Sequence, residues 1–128
     1  MDLIEDNKFQ NAFLIYVSID LFYEKNELEN DYDEFKSLVI SSGLDIKDCR
    51  NFNQKIPSIN TFITKGNLEN LKFQILDKDI DILIINHELN VSQTRNLEKY
   101  FNKRVIDKTE LILDIFASRA VSYTHLTL

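Results

Sequence analysis

Residues 12–19 read AFLIYVSI, an apolar run in which only Ser18 is polar. A strand with one wet face alternates apolar and polar residues. A run without that alternation, rich in β-branched and aromatic side chains, belongs to a strand buried on both faces. A second run of this kind stands at 80–86, IDILIIN. Burial on both faces needs helices above and below the sheet, which parallel strands joined by helical crossovers supply. The expected fold is therefore α/β, a small parallel sheet of four to five strands flanked by helices, with right-handed connections.

The segments between the two runs supply those helices. Residues 20–31 are polar and read as a loop. Asp31-Tyr32-Asp33-Glu34 then offers a capping-box pattern, Phe35, Leu38 and Val39 share a helical face, and Gly43 is placed to end the helix left-handed. LDIKDCRNF (44–52) alternates as an edge strand does. Pro57 stiffens the loop after it, and Phe62-Ile63 is at most a short strand. Gly66-Asn67 opens a second helix whose Leu68, Leu71, Ile75 and Leu76 face the core. Asn90 caps a third, with Val91, Leu97 and Phe101 inward. RVI (104–106) is a short strand, and Asp107 or Thr109 starts a last helix.

At 128 residues the chain suits one domain, long enough to bury roughly 65–70% of its unfolded surface. No run of about 18 apolar residues occurs, so no membrane span is expected. A single cysteine, Cys49, forms no intrachain disulfide, and a reducing cytosol is its natural compartment. Net charge is −6 and uneven: residues 1–50 carry twelve acids against five bases, residues 51–128 nine against ten.

Candidate chemistry is sparse. No carboxylate pair stands in an apolar stretch that would shift its proton affinity usefully, so no catalytic residue is assigned. Two histidines and one cysteine far apart make no ligand spacing, and no metal site is expected. His87 follows the strand tip at Asn86, the edge where α/β sheets bind ligands, although a capping or surface role suits it better. Lys65-Gly66-Asn67, at a helix start, could hold a phosphate on free backbone N–H groups, or be a tight turn. The string GxxxxGK[ST] is absent. Arg95, Lys99 and Lys103 recur at i, i+4 and i+8 with Tyr100 beside them. Such a stripe grips phosphates of folded RNA through charge, or simply solvates a helix.

Gln93 to Glu98 (QTRNLE) and residues 104–120 (RVIDKTELILDIFASRA) resemble the N-terminal domain of the HflX family of ribosome-associated GTPases. The likeness runs from about residue 12 to 120. Val91 replaces a proline usual at that helix start, Lys108 replaces an arginine, and Thr64-Lys65-Gly66-Asn67 stands where a Gly-x-Gly-Lys turn is common. The arginine's planar fork is thereby lost at 108.

The resemblance implies a polar tail over 1–11, an α/β domain over 12–107, the start of a truncated helical subdomain over 108–120, and a non-family tail, VSYTHLTL, over 121–128 without helical periodicity. It further implies docking to the large ribosomal subunit, through rRNA or ribosomal protein, by Arg95, Lys99, Lys103 and Lys108. Ribosome splitting or rescue under stress, in the cytoplasm, is the implied setting. Asp107 and Thr109 would cap the exit helix and Asn96 would fix the nearby loop. GTP and Mg²⁺ would serve the full-length parent, not this chain. Leu111, Ile112, Ile115 and Phe116 would pack into the helical subdomain, and the domain would modulate a GTPase domain. The alternative from the residues alone is a stand-alone α/β module binding a small ligand or nucleotide at Gly66 and Asn86-His87.

Overall fold

The computed structural model describes residues 10–20 and 27–127, with side chains over 10–20 and 31–117. The polar tail expected over 1–11 therefore lies, through residue 9, outside the described residues, as do residues 21–26 and the side chain of His125. The elements run β1 (Asn11–Ile19), α1 (Glu27–Ser41), β2 (Asp45–Gln54), α2 (Lys65–Leu76), β3 (Ile82–Ile85), α3 (Val91–Phe101), β4 (Arg104–Ile106) and α4 (Lys108–Thr127). The four strands form one sheet in the order β2-β1-β3-β4, and every pairing is parallel.

Strand order explains why the two central runs are so apolar. β1 and β3 are inner strands, and alternate residues of β1 serve opposite faces. Phe13, Ile15, Val17 and Ile19 pack with Leu68, Leu71 and Ile75 of α2 and Leu97 and Phe101 of α3. Ala12, Leu14 and Tyr16 pack with Phe35 and Val39 of α1 and Leu111 and Ile115 of α4. The chain moves outward from β1 to β2, then returns across β1 to β3. Crossovers of one hand must then change face, so α1 lies on one side and α2 and α3 on the other. Truncating a fully buried leucine such as Leu83 should cost about 2–5 kcal/mol.

β2 is the edge strand its alternation suggests, extended to Gln54. It carries Asp45, Lys47, Asp48 and Arg50, with Lys47 bonded to Asp45 at 2.9 Å. Asp48 lies 3.3 Å from Arg50 and 3.2 Å from Lys78. A register shift between Ala12 and Phe13 leaves Lys47 as the extra residue of a bulge. Gly43 has φ +84 at the end of α1, the left-handed conformation expected there.

Several local expectations differ from what is observed. α1 is already helical at Glu27, so Asp31 lies inside it and its carboxylate accepts from the Tyr16 hydroxyl at 2.7 Å, with no capping role. Phe62-Ile63 is no strand: Phe62 makes only an isolated antiparallel bridge to Ser58. Leu76 and Val91, both expected inward, are each 72% exposed, because Leu76 ends α2 and Val91 begins α3, where no neighbouring element covers them. The backbone of α4 is helical through Thr127, across a stretch that carries no helical periodicity.

Candidate functional site

In an open α/β sheet the natural ligand crevice lies at the carboxyl ends of the strands where the order reverses. Here that point falls between β1 and β3, and the chain fills it with its own side chains. Asn86 Oδ1 accepts the Val17 backbone N–H at 2.8 Å, and Asn86 Nδ2 donates to the Val17 carbonyl at 3.2 Å. His87 Nε2 meets the same carbonyl, while its ring lies 4.6 Å from that of Phe62. His87 is only 8% exposed, so it is not a surface residue. Burial pushes its pKa down, opposed by the bond to Val17 and by Asp31.

The start of α2 is closed in a similar way. Gln54, at the tip of β2, is 6% exposed. Its Oε1 accepts the Thr64 N–H at 2.9 Å and the Asn67 side-chain amide at 3.1 Å. Its Nε2 donates to the carbonyls of Phe62 at 3.1 Å and Ile56 at 3.3 Å. The helix begins at Lys65, one residue before the expected opening at Gly66. Lys65 and Gly66 are exposed. Gly66 has open space where a Cβ would stand and needs no special conformation, so neither close approach nor φ demands glycine there. Gln54 thus takes up the Thr64 N–H and the Asn67 side-chain amide beside this helix start. Among the described residues no cluster of His, Cys, Asp or Glu is arranged to hold a metal ion.

α3 is held by side-chain bonds at its start. Asn90 Oδ1 accepts the Gln93 N–H at 2.8 Å and Gln93 Oε1 accepts the Asn90 N–H at 3.1 Å, a reciprocal capping box. Gln93 Nε2 also donates to the carbonyls of Ser58 and Ile59, and Asn96 Nδ2 to that of Asn60 at 2.9 Å. The 58–62 loop is thus laced to α3. At its far end Asn102 takes φ 54, and the helix stops there.

That stop divides the basic residues. Arg95 and Lys99 are exposed on the outer side of α3. Lys103 lies past the helix, with Nζ donating to the Ile80 carbonyl at 2.8 Å. Lys108 begins α4 on the opposite layer, 3.9 Å from Asp31. The structure therefore brings Arg95, Lys99 and Lys103 to one layer and leaves Lys108 apart. Asp107 joins two elements: Oδ1 accepts the Glu110 N–H at 2.8 Å and Oδ2 accepts the Leu89 N–H at 2.9 Å. Thr109 is exposed within the first turn of α4.

Three further groups are shifted upward. Burial pushes the Cys49 thiol up, away from the reactive thiolate. Tyr32, whose hydroxyl donates to Cys49 Sγ at 3.6 Å, is pushed up to about 12, first by that bond and then by burial. Burial also raises Glu110. Sequence reading missed Gln54 and the second role of Gln93. A buried glutamine at a strand tip has no local signature, since its partners are scattered from two to thirteen residues on.

The fold and these sites define a parallel α/β domain whose strand tips are sealed by its own amides and whose exposed features lie on helices. Residues 29–117 match the family described as GTP-binding GTPase N-terminal. The chain is 43% identical over 97 residues to the GTPase HflX of Chlamydia pneumoniae, covering 74% of this chain and 20% of that protein. It is 33% identical over 104 residues to the GTPase HflX of Escherichia coli, covering 81% and 24%. A GTP-binding protein from the archaeon Sulfolobus solfataricus, solved with GDP, shares the fold. Its TM-score is 0.61 at 24% identity, over 84% of this chain and 30% of that one. The chain belongs to the GTP-binding GTPase N-terminal family, as the N-terminal domain of an HflX GTPase. It spans about a fifth to a quarter of the length of these curated relatives. Among the described residues no helix is long and apolar enough to cross a membrane.

Proposed function

We propose that this domain docks an HflX-type GTPase onto the large ribosomal subunit in the cytoplasm, in ribosome splitting or rescue under stress. The observation that carries the reading is the rigidly capped α3, which presents Arg95 and Lys99 to solvent. A fixed helix holds its charges at a set spacing, so less side-chain and backbone freedom is lost when phosphates are met. Lys103 contributes from the same layer, and Lys108 from the opposite one. GTP and Mg²⁺ serve the portion of the relatives that this chain does not span. Leu111 and Ile115, expected to pack into the helical subdomain, are buried in this domain's own core, whereas Leu113 and Phe116, exposed on α4, suit an intramolecular contact through which the domain modulates that portion.

Binding to purified large ribosomal subunits, followed over rising KCl, tests the reading. Charge-based docking to rRNA gives a log–log salt slope of about 0.7–0.9 per phosphate contacted. Arg95→Glu with Lys99→Glu should flatten that slope by roughly two contacts' worth. Association that ignores both salt and the double substitution would exclude α3 as the docking helix.

A further inference from the structure

The exposed face between α2 and α3 carries an aromatic feature that the basic residues do not explain. Phe73 is 79% exposed on α2, beside Leu76. Together with Glu69, Lys72 and Tyr100 they line a cleft of ≈ 340 Å³. Tyr100 is braced edge-on by Phe101 at 5.0 Å, and the Lys72 ammonium sits 4.7 Å over its ring. An adjoining hollow shares Lys72 and Leu76 and reaches Phe101 and Lys103. The two hollows meet at Lys72 and Leu76, share an aromatic and aliphatic lining, and have Lys103 on the far side. Lys99, exposed, precedes Tyr100 on α3.

The mixture of groups selects among occupants. An apolar helix from a protein partner would bury the floor but leave Lys72 and Lys103 to be desolvated without compensation. An unpaired nucleobase satisfies both requirements in one ligand: its π-face stacks on an aromatic ring while its flanking phosphates meet the lysines. Lys103 spends one donor on the Ile80 carbonyl, and an ammonium has three. Glu69, the acid lining the cleft, is an acceptor for an exocyclic amino group, which adenine, cytosine and guanine carry and uracil lacks.

We propose that the α2–α3 cleft binds an unpaired RNA base stacked on Phe73 and Tyr100, with Lys72, Lys99 and Lys103 meeting the adjacent phosphates. This deepens, and rests on, the reading of the domain as an RNA-docking module. It converts a purely electrostatic contact into one that requires a locally single-stranded segment.

The test titrates the whole chain with a short fluorescent single-stranded oligoadenylate and with an abasic strand of equal length. The base-bearing strand should bind more tightly. Phe73→Ala should weaken it about 5- to 150-fold while leaving the salt slope unchanged, and should leave the abasic strand unaffected. Equal affinity of wild type for both strands, or an unchanged affinity in Phe73→Ala, overturns the proposal. If Phe73→Ala spares oligoadenylate binding but weakens association with large subunits, the cleft takes a protein and the proposal also falls. The α3 reading is judged separately, by the salt slope of the Arg95/Lys99 double variant on subunits, so the two can fail independently.

Discussion

Gln54→Leu removes four hydrogen bonds at one buried position while keeping most of the side-chain volume. The Thr64 N–H, partly buried, loses its acceptor. The Phe62 carbonyl keeps the Ser58 N–H at 2.9 Å but loses its second donor, and the Ile56 carbonyl loses a 3.3 Å contact. The Asn67 amide can turn to water. An orphaned, partly buried N–H costs about 1 kcal/mol and each of the two lost carbonyl contacts about 0.5–1.5, so the sum is about 2–4 kcal/mol. For a domain of this size that lowers Tm by about 7–15 °C. Thermal unfolding followed by circular dichroism reads the shift. Amide exchange should show the Thr64 N–H losing protection while β1 and β3 keep theirs. A shift under about 2 °C would mean that water replaces the glutamine fully, and that the loop and α2 are not held by it. Gln54→Ala should cost more than Gln54→Leu, because it adds a cavity.

Asp107→Ala should destabilise by about 1–3 kcal/mol in urea unfolding, since one carboxylate serves both α4 and the Leu89 loop, whereas Thr109→Ala should stay within about 0.5 kcal/mol. His87 is held neutral by burial, so its folded pKa lies below its unfolded value. The unfolded chain then binds the proton first, and stability present above about pH 6.5 declines as the pH falls below it. His87→Asn should remove that part of the decline in urea midpoints measured across this range. Asn102→Gly should match or slightly exceed wild type in Tm, while Asn102→Ala should cost about 1 kcal/mol, because position 102 is left-handed.

The layers of this domain were legible because they depend on periodicity. AFLIYVSI and IDILIIN have the pattern of inner strands, and the alternation of 44–52 that of an edge. The helix ends were less legible. Leu76 and Val91 belong to the right helices, but a terminal turn points where the rest of the fold permits, and that is a tertiary fact. The Asp31 capping pattern was overridden because the helix already runs through it and Tyr16 claims the carboxylate. At the candidate site, the α3 cap at Asn90 could be read from spacing, since both partners sit within one turn. The cap that Asp107 gives Glu110 was likewise readable, but its bond to Leu89, and those of Gln54 and Asn86, were not, because they join segments brought close only by folding. The aromatic cleft joins Phe73 to Tyr100, 27 residues apart, and a stripe analysis of either helix alone does not find it.

The two borders of the sheet limit how this domain can associate. β2 presents charged side chains and a bulge along one border, and β4, at the other, is only three residues long. Both features discourage an incoming strand from continuing the ladder. Recognition by added backbone pairing, which many small α/β and β domains use for peptides or for self-association, is therefore disfavoured. Side chains displayed on helices and loops are the readier recognition surface, and evolution can retune such a surface one residue at a time without disturbing the sheet beneath.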